Sequence, residues 1–190
     1  MERNVQTPLD KSVLGQLRAG DWVQLSGTIY TARDAAHARM DAMLNAGQQL
    51  PIPLAGTAIY YAGPTPNRPG RPVGSLGPTT SGRMDAFAPR LLDLGLCAMI
   101  GKGIRNEAVK RAVVRNGAVY LAAMGGAGAL LSQCVHAREV VAFEELQSEA
   151  VSRLLVKDFP CVVILDAHGG DLYEQGPQAY LENMARHRHT

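Results

Sequence analysis

Residues 77–84 (GPTTSGRM) concentrate groups that can bind an anion. Three consecutive hydroxyls are followed by a guanidinium, in the order Thr79, Thr80, Ser81, Arg83. A guanidinium with hydrogen-bond donors beside it matches the geometry of a carboxylate. Ten of the twenty residues from 63 to 82 are Gly or Pro. Because ordering such a loop costs conformational freedom, the composition is typical of a segment that holds a ligand.

Arg33 and His37 lie four residues apart in a segment whose pattern predicts a helix, so both are expected on one helical face. Arg33 falls at the second position of that predicted helix, where the positive end of the helix dipole disfavours a cation. A cation beside free backbone N–H groups forms an anion site, which is the functional interpretation. The alternative is that Arg33 pairs with Asp34, Asp41 or another neighbour and that His37 is a surface residue.

Lys102 stands between two glycines directly after an apolar stretch that reads as a strand. In an open α/β sheet the carboxyl ends of strands face the ligand crevice, so Lys102 is a further binding candidate. The Gly-Lys-Gly sequence lacks the other residues of a phosphate-binding loop. Residues 166–169 (DAHG) follow the last predicted strand, and an Asx-type turn is favoured there over a metal pair.

Composition narrows the classes of function. The net charge is +2, yet between residues 42 and 138 ten Arg or Lys face three acids, which predicts a positive field around the middle of the chain. Aromatic residues make up 5% of the chain, too few to favour nucleic-acid binding by base stacking. Apolar runs are short and broken, which excludes a membrane span and makes a cytoplasmic protein the expectation. Three distant cysteines predict buried thiols, not disulfides: Cys97, Cys134, Cys161.

The alternation of strand and helix patterns predicts an α/β fold with a mixed sheet. Strands are expected at residues 22–29, 57–62, 96–100, 118–123, 140–143, 152–156 and 161–165. Helices are expected at residues 32–44, 84–94 and 106–115, followed by a short helix reaching Leu131. A capping box of Thr31 and Asp34 is expected to start the first helix. The predicted organisation is a lead-in (1–19), one domain (20–175) and a polar, loosely helical tail (176–190).

Several motifs, taken together and in order, resemble a known family. They occupy residues 26–29, 31–37, 61–66, 77–84, 101–103, 125–126, 158–160 and 166–169. This set is similar to the C-terminal domain of class I iron–sulfur fumarases, which in two-subunit members is the separate beta subunit, and to the tartrate dehydratase beta subunit. The resemblance extends from about residue 20 to residue 173.

The resemblance implies a swivelling β/β/α three-layer fold and a hydro-lyase reaction. It implies a [4Fe-4S] cluster bound by three cysteines of a partner alpha subunit, with no cofactor on this chain, and activity only in the assembled complex. A homodimer of beta chains or an α2β2 assembly is expected. By motif, Thr79 becomes the candidate base and His37 a second catalytic candidate. The implied substrate contacts are Arg33, Thr79, Thr80, Ser81, Gly82, Arg83 and Lys102.

Three functions stay open from the sequence. The first is an enzyme subunit for the reversible dehydration of (S)-malate to fumarate, or alternatively for the dehydration of L-tartrate or another hydroxy-dicarboxylate. A non-catalytic anion-binding regulatory module is the second class. A nucleotide enzyme ranks last because no segment qualifies as a phosphate loop.

Overall fold

The computed structural model describes residues 1–67 and 69–187. In that part of the chain the strands are β1 (Glu2–Gln6), β2 (Trp22–Thr31), β3 (Ala58–Tyr60), β4 (Ala98–Gly101), β5 (Val119–Ala122), β6 (Val135–Ala142) and β7 (Val151–Leu165). The helices are α1 (Lys11–Leu14), α2 (Asp34–Asn45), α3 (Ala88–Asp93), α4 (Glu107–Asn116), α5 (Gly128–Leu131) and α6 (Leu172–His187). Three 3-10 helices span Ser81–Met84, Ser132–Cys134 and Glu144–Glu149. The α/β class with a mixed sheet is confirmed.

The strand pairing closes a ring. Strands β2, β3, β4 and β5 are parallel neighbours in that order. Strand β7 is antiparallel to both β5 and β2 and joins the two ends of the parallel set. Strands β1 and β6 extend the sheet outside this ring, β1 parallel to β2 and β6 antiparallel to β7. The carboxyl ends of the four parallel strands therefore lie at one edge of the ring.

Alternating side chains on the ring strands build two apolar clusters on opposite faces. In β3, Ala58 and Tyr60 belong to the inner cluster, whereas Ile59 belongs to the outer one. Strands β4 and β5 repeat this alternation. Helices α2, α3 and α4 cover the outer face with Met40, Leu91 and Val113, among others. No helix in the described part of the chain is long and apolar enough to cross a membrane.

Helix α2 begins without the predicted capping box, so that prediction is wrong. The N-cap residue is Arg33, which makes no side-chain capping bond. Thr31 is instead the buried last residue of β2, where its Oγ1 accepts a hydrogen bond from the Ser152 amide at 3.3 Å. The amide of Ala35 donates to Glu149 Oε2 at 3.0 Å. A carboxylate from a distant segment thus satisfies the helix end, which local spacing cannot reveal.

Other boundaries also differ from the predictions. The helix expected at 84–94 divides into the 3-10 turn at Ser81–Met84 and the short α3. The two strands expected at 152–156 and 161–165 are one strand, β7, because a bulge around Asp158 (φ 51°) lets it continue past a proline. Residues 1–19 contribute β1 and α1 to the fold. The tail is helical from Leu172 onward, and residues 188–190 lie outside the described part.

Candidate functional site

The predicted anion-binding side chains converge at the edge where the parallel strands end. Arg33 follows β2 by two residues, and Lys102 follows β4 directly. Gly63 and Gly125 follow β3 and β5 at the same edge. Carboxyl ends of parallel strands form the usual ligand crevice of α/β sheets. Four side chains at this edge are called the edge groups below: Arg33, Thr79, Arg83 and Lys102.

The loop that carries Thr79 and Arg83 is fastened across this edge by backbone hydrogen bonds. The Thr79 amide donates to the Tyr61 carbonyl at 2.7 Å, just after β3. The Ser81 amide donates to the Lys102 carbonyl at 2.8 Å, just after β4. Thr80 is also paired with Lys102 in an isolated parallel bridge. The loop therefore holds a fixed register against two neighbouring strands.

The exposed side of the loop offers free polar groups. Thr79 is half-buried, whereas Thr80, Gly82 and Arg83 are exposed. Among the hydrogen bonds of residues 1–67 and 69–187, none engages the hydroxyl of Thr79 or Thr80. Arg83 Nη1 lies 3.5 Å from Asp34 Oδ2, and 54% of the Arg83 side chain is exposed. This pairing is loose enough for a ligand carboxylate to replace it.

Arg33 is held more closely. Its Nη2 lies 3.3 Å from Glu149 Oε1, so the ion pair is made not with Asp34 or Asp41, which the alternative interpretation named, but with a residue far along the chain. A Cβ at Gly63 would stand 3.2 Å from Arg33 Nη1 and 2.6 Å from the Ser148 carbonyl, which explains the glycine there. Two residues before Glu149 stands Gln147, whose φ of 54° and ψ of −109° are strained. Sequence reasoning missed Glu149, because nothing local marks it.

Lys102 is an exposed cation without an ion pair in the described part of the chain. Its side chain passes over Gly125, where an added Cβ would lie 3.7 Å from Lys102 Cδ and 3.9 Å from Nζ. A side chain at that position would extend into the space around the ammonium group. Lys102 is thus free to meet a ligand at the edge.

Ser81 faces inward, unlike its neighbours. It is fully buried, and its Oγ accepts a hydrogen bond from the Lys102 amide at 3.0 Å. The Tyr120 hydroxyl lies 2.9 Å from the same oxygen. A Cβ at Gly101 would overlap Ser81 Oγ. A substrate contact through the Ser81 hydroxyl, as the resemblance implied, would require this internal arrangement to break.

His37 is part of the core. It is fully buried, not on the surface as the alternative interpretation held, and its Nδ1 lies 2.9 Å from the Arg33 carbonyl. Its ring packs edge-on against Tyr61, with centroids 5.2 Å apart. Burial lowers the pKa of His37 to about 4, so the imidazole is neutral at pH 7. Its ring is thus enclosed in the core, in contact with the backbone of Arg33 and not with solvent.

The three cysteines do not form a ligand group for a metal ion. Cys97 and Cys161 are buried and Cys134 is half-buried. Burial raises the pKa of the Cys161 thiol. Within residues 1–67 and 69–187, no three His, Cys, Asp or Glu side chains are placed to hold a metal ion. The turn expected at 166–169 is present, since Asp166 Oδ1 accepts from the amides of His168 and Gly170.

Arg105 is the polar residue of this region that sequence reasoning missed most completely. It lies in the loop after β4, three residues beyond Lys102, and only 3% of it is exposed. Its Nε lies 2.6 Å from Asp85 Oδ1. The sequence around it looks like an exposed loop, and the partner carboxylate stands 20 residues earlier. No local signal identifies it.

Comparison with known proteins matches most of the chain to one family. The family described as Fumarase C-terminus matches residues 2–176. "Fumarate hydratase class I, anaerobic" of Escherichia coli (strain K12) is 39% identical over 170 residues, covering 87% of this chain and 31% of that protein. "Fumarate hydratase 1, mitochondrial" of Leishmania major is 42% identical over 155 residues, covering 80% and 28%. This chain therefore spans less than a third of either fumarate hydratase.

A third relative, "Putative L(+)-tartrate dehydratase subunit beta" of Methanocaldococcus jannaschii, matches this chain over nearly its whole length. It is 39% identical over 182 residues, and the match covers 93% of both chains.

Proposed function

This chain belongs to the Fumarase C-terminus family, and on that premise we propose that it supplies the dicarboxylate-binding half of a hydro-lyase site shared with a partner alpha subunit. The reaction proposed is the reversible dehydration of (S)-malate to fumarate. The observation that carries the proposal is the convergence of Arg33, the Thr79–Arg83 loop and Lys102 at one strand edge. The relatives named fumarate hydratase support the choice of reaction.

The edge groups suit the charge that develops in this reaction. Dehydration removes a proton next to a carboxylate, which then carries additional negative charge until hydroxide leaves. Fixed cations and donors that point at this charge lower the barrier. Arg83 and Lys102 are exposed, and Arg33 is anchored by Glu149. In this proposal Arg33 and Arg83 orient the two substrate carboxylates, and Lys102 stabilises the developing charge.

Thr79 is proposed as the group that takes the proton. Its backbone is fixed by the bond to the Tyr61 carbonyl, and its hydroxyl is unengaged in the described hydrogen bonds. A threonine hydroxyl is a weak base unless a neighbour activates it. We assign that activation to the assembled site, because no carboxylate or imidazole of the described residues bonds to this hydroxyl.

The cofactor proposed for the whole enzyme is a [4Fe-4S] cluster on the partner subunit. The three cysteines of this chain are not grouped to hold a metal ion, and two of them are buried, so they do not fit a cluster ligand set. When bound, such a cluster would supply a Lewis acid for the leaving hydroxyl. The assembly we propose pairs each chain with one alpha subunit, as an α2β2 complex.

The test is reconstitution of this chain with a cluster-bearing partner, followed by assays with (S)-malate, fumarate and L(+)-tartrate. Turnover of malate and fumarate is expected, with each subunit inactive by itself. A complex with an intact cluster that turns over none of the three substrates contradicts the enzyme proposal. Dicarboxylate binding by this chain without a partner would then favour the anion-binding module.

Tartrate dehydration is the second candidate, and one observation favours it. The tartrate dehydratase subunit from Methanocaldococcus jannaschii is 39% identical to this chain, the same identity as that of the fumarate hydratase from Escherichia coli. Both substrates carry two carboxylates, so the edge groups suit either. The ratio of kcat/KM for malate to that for tartrate decides between them.

A further inference from the structure

A fully buried cation lies directly beneath the edge groups. The side chain of Arg105 is 0% exposed. A guanidinium removed from water needs close partners, because an unpaired buried charge is strongly unfavourable. Its carboxylate partner, Asp85, stands on the loop that carries Thr79 and Arg83, whereas Arg105 itself stands on the loop that begins at Lys102.

Asp85 joins the two loops through Arg105. Its Oδ1 accepts from Arg105 Nε at 2.6 Å, and its Oδ2 accepts from the Asn106 amide at 2.7 Å. Asp85 directly follows the 3-10 turn Ser81–Met84, whereas Arg105 and Asn106 end the loop that begins at Lys102. Each carboxylate oxygen thus ties the first loop to the second.

Two tyrosine rings enclose the guanidinium. Arg105 Cζ lies 5.4 Å from the ring centroid of Tyr61 and 5.0 Å from that of Tyr120. Both distances fit cation–π contacts, which are stronger when water is excluded. Tyr61 directly follows β3 and Tyr120 lies in β5, so Arg105 also fixes the loops against the ring of strands.

The hydroxyl of Tyr120 extends this arrangement to the edge. It lies 2.9 Å from both Ser81 Oγ and the Gly103 carbonyl. The carbonyl can only accept, so the single Tyr120 hydrogen points to Gly103 and Ser81 donates to Tyr120. Ser81 Oγ at the same time accepts from the Lys102 amide. An unbroken chain of contacts therefore runs from Arg105 to the backbone of Lys102.

We infer that Arg105 is a positioning residue, which acts through Asp85, Tyr120 and Ser81 to fix Thr79 and Arg83 relative to Lys102. The term buried layer is used below for five residues: Ser81, Asp85, Arg105, Tyr120 and Tyr61. The catalytic consequence rests on the proposed function, whereas the effect on loop register does not. A displacement of about 1 Å in a reacting geometry can cost about a hundredfold in rate. The buried layer is placed to prevent such a displacement.

The first test variant is Tyr120→Phe, which removes one hydroxyl and keeps the ring beside Arg105. In the assembled enzyme we expect kcat to fall about tenfold, with KM changed less than twofold. In the full chain we expect faster hydrogen exchange at the Ser81 and Lys102 amides. Arg105→Lys keeps the charge but loses the planar fork, so it should show the same pattern more strongly if it folds.

The matched control is Tyr60→Phe. Tyr60 is equally buried, and its hydroxyl also makes a 2.8 Å hydrogen bond, to the Leu76 carbonyl, but it faces the inner cluster. We expect this control to lose about as much thermal stability as Tyr120→Phe. Its kcat and the hydrogen exchange of the Ser81 and Lys102 amides should stay unchanged.

The outcomes separate the two proposals. If the wild-type complex shows no turnover, the proposed function fails, and the exchange of the Ser81 and Lys102 amides still decides the positioning role. If the wild-type complex is active and Tyr120→Phe keeps normal kcat and normal exchange at both amides, the positioning inference is overturned. An equal kcat loss in Tyr60→Phe with unchanged exchange at Ser81 and Lys102 would also overturn it, since the loss of activity would then not depend on the register of these two amides.

Discussion

Most of the edge groups and most of the buried layer share two loops, residues 79–85 and 102–106, yet their chemistry is opposite. Thr80 points outward and Ser81 inward, and Lys102 is exposed next to the buried Gly101. The outward groups have free hydroxyls or loose partners, whereas Ser81 is satisfied inside the protein. One loop can therefore both present groups to a ligand and fasten itself, if successive residues alternate between the two tasks.

Two arginines show the same contrast in electrostatic terms. Arg105 is buried and lies 2.6 Å from Asp85, whereas Arg83 is half-exposed and lies 3.5 Å from Asp34. Exposed ion pairs contribute about 0–1 kcal/mol, while breaking a buried pair costs about 3–5 kcal/mol. A substrate carboxylate can thus replace Asp34 at Arg83, but it cannot replace Asp85 at Arg105. The exposed arginine is therefore available to a ligand, whereas the buried one anchors the structure.

The largest expected effect is on an edge group. Thr79→Val should reduce kcat by about 10²–10⁴, because it removes the proposed proton acceptor and keeps the size of the side chain. Thermal unfolding should change little, since the Thr79 hydroxyl makes no described hydrogen bond. Steady-state kinetics of the assembled enzyme measure this. Thr79→Ser is the matched variant and should keep most activity; near-normal turnover of Thr79→Val removes the residue from that role.

Arg83→Ala should reduce kcat/KM by about 10²–10³, the usual cost of removing one donor to a developing negative charge. Its stability should stay within about 0.5 kcal/mol of wild type, because the pair with Asp34 is exposed. Arg153→Ala is the control, since that side chain is 53% exposed and also ion-paired, but lies on β7. A collapse of thermal stability in Arg83→Ala with normal turnover would make Arg83 a structural residue.

His37 should make the folded state sensitive to acid. Its pKa is about 4 in the folded protein and 6.5 when unperturbed, so between these values the unfolded chain binds the additional proton. The free energy of unfolding should therefore fall as pH decreases from 6.5 to 4, by about 3 kcal/mol in total. Urea unfolding at pH 7, 5.5 and 4.5 measures this.

His37→Gln is the comparison for that titration. The variant should be less stable at pH 7 but should lose less stability on acidification, because it lacks the buried imidazole. The other titratable groups are present in both proteins, so their contributions cancel when the unfolding free energies of the two proteins are subtracted at each pH. Parallel curves for the two proteins would show that protonation of His37 is not linked to unfolding.

The smallest effect is expected at Asp34. Asp34→Asn removes the carboxylate that pairs loosely with Arg83, so the substrate has less competition and KM should fall about two- to fivefold. The decrease should shrink at high salt, because exposed charges are screened. Assays at two ionic strengths measure this, and an increase in KM would mean that Asp34 orients Arg83 for binding.

The candidate site was predictable to the extent that its groups follow strands directly. Lys102 and Arg33 each come at or just after a strand end, and the parallel order of those strands brings the ends together. Ser81 could not be placed, because a run of three hydroxyls gives no indication of which one turns inward. Its direction depends on Tyr120 and on the absence of a side chain at Gly101.

The sequence by itself determined the α/β class, the approximate positions of strands β2 to β5 and the presence of a polar, Gly/Pro-rich loop. Side-chain periodicity and glycines act between residues a few positions apart, and these signals are readable along the chain. Only the tertiary structure decided that β7 closes the ring, that Glu149 holds Arg33 and that Arg105 is buried. Those features depend on contacts between distant segments, such as Arg105 with Asp85 and Arg33 with Glu149. A charged residue in a loop is normally exposed, whereas Arg105 is buried because such a contact pairs its charge.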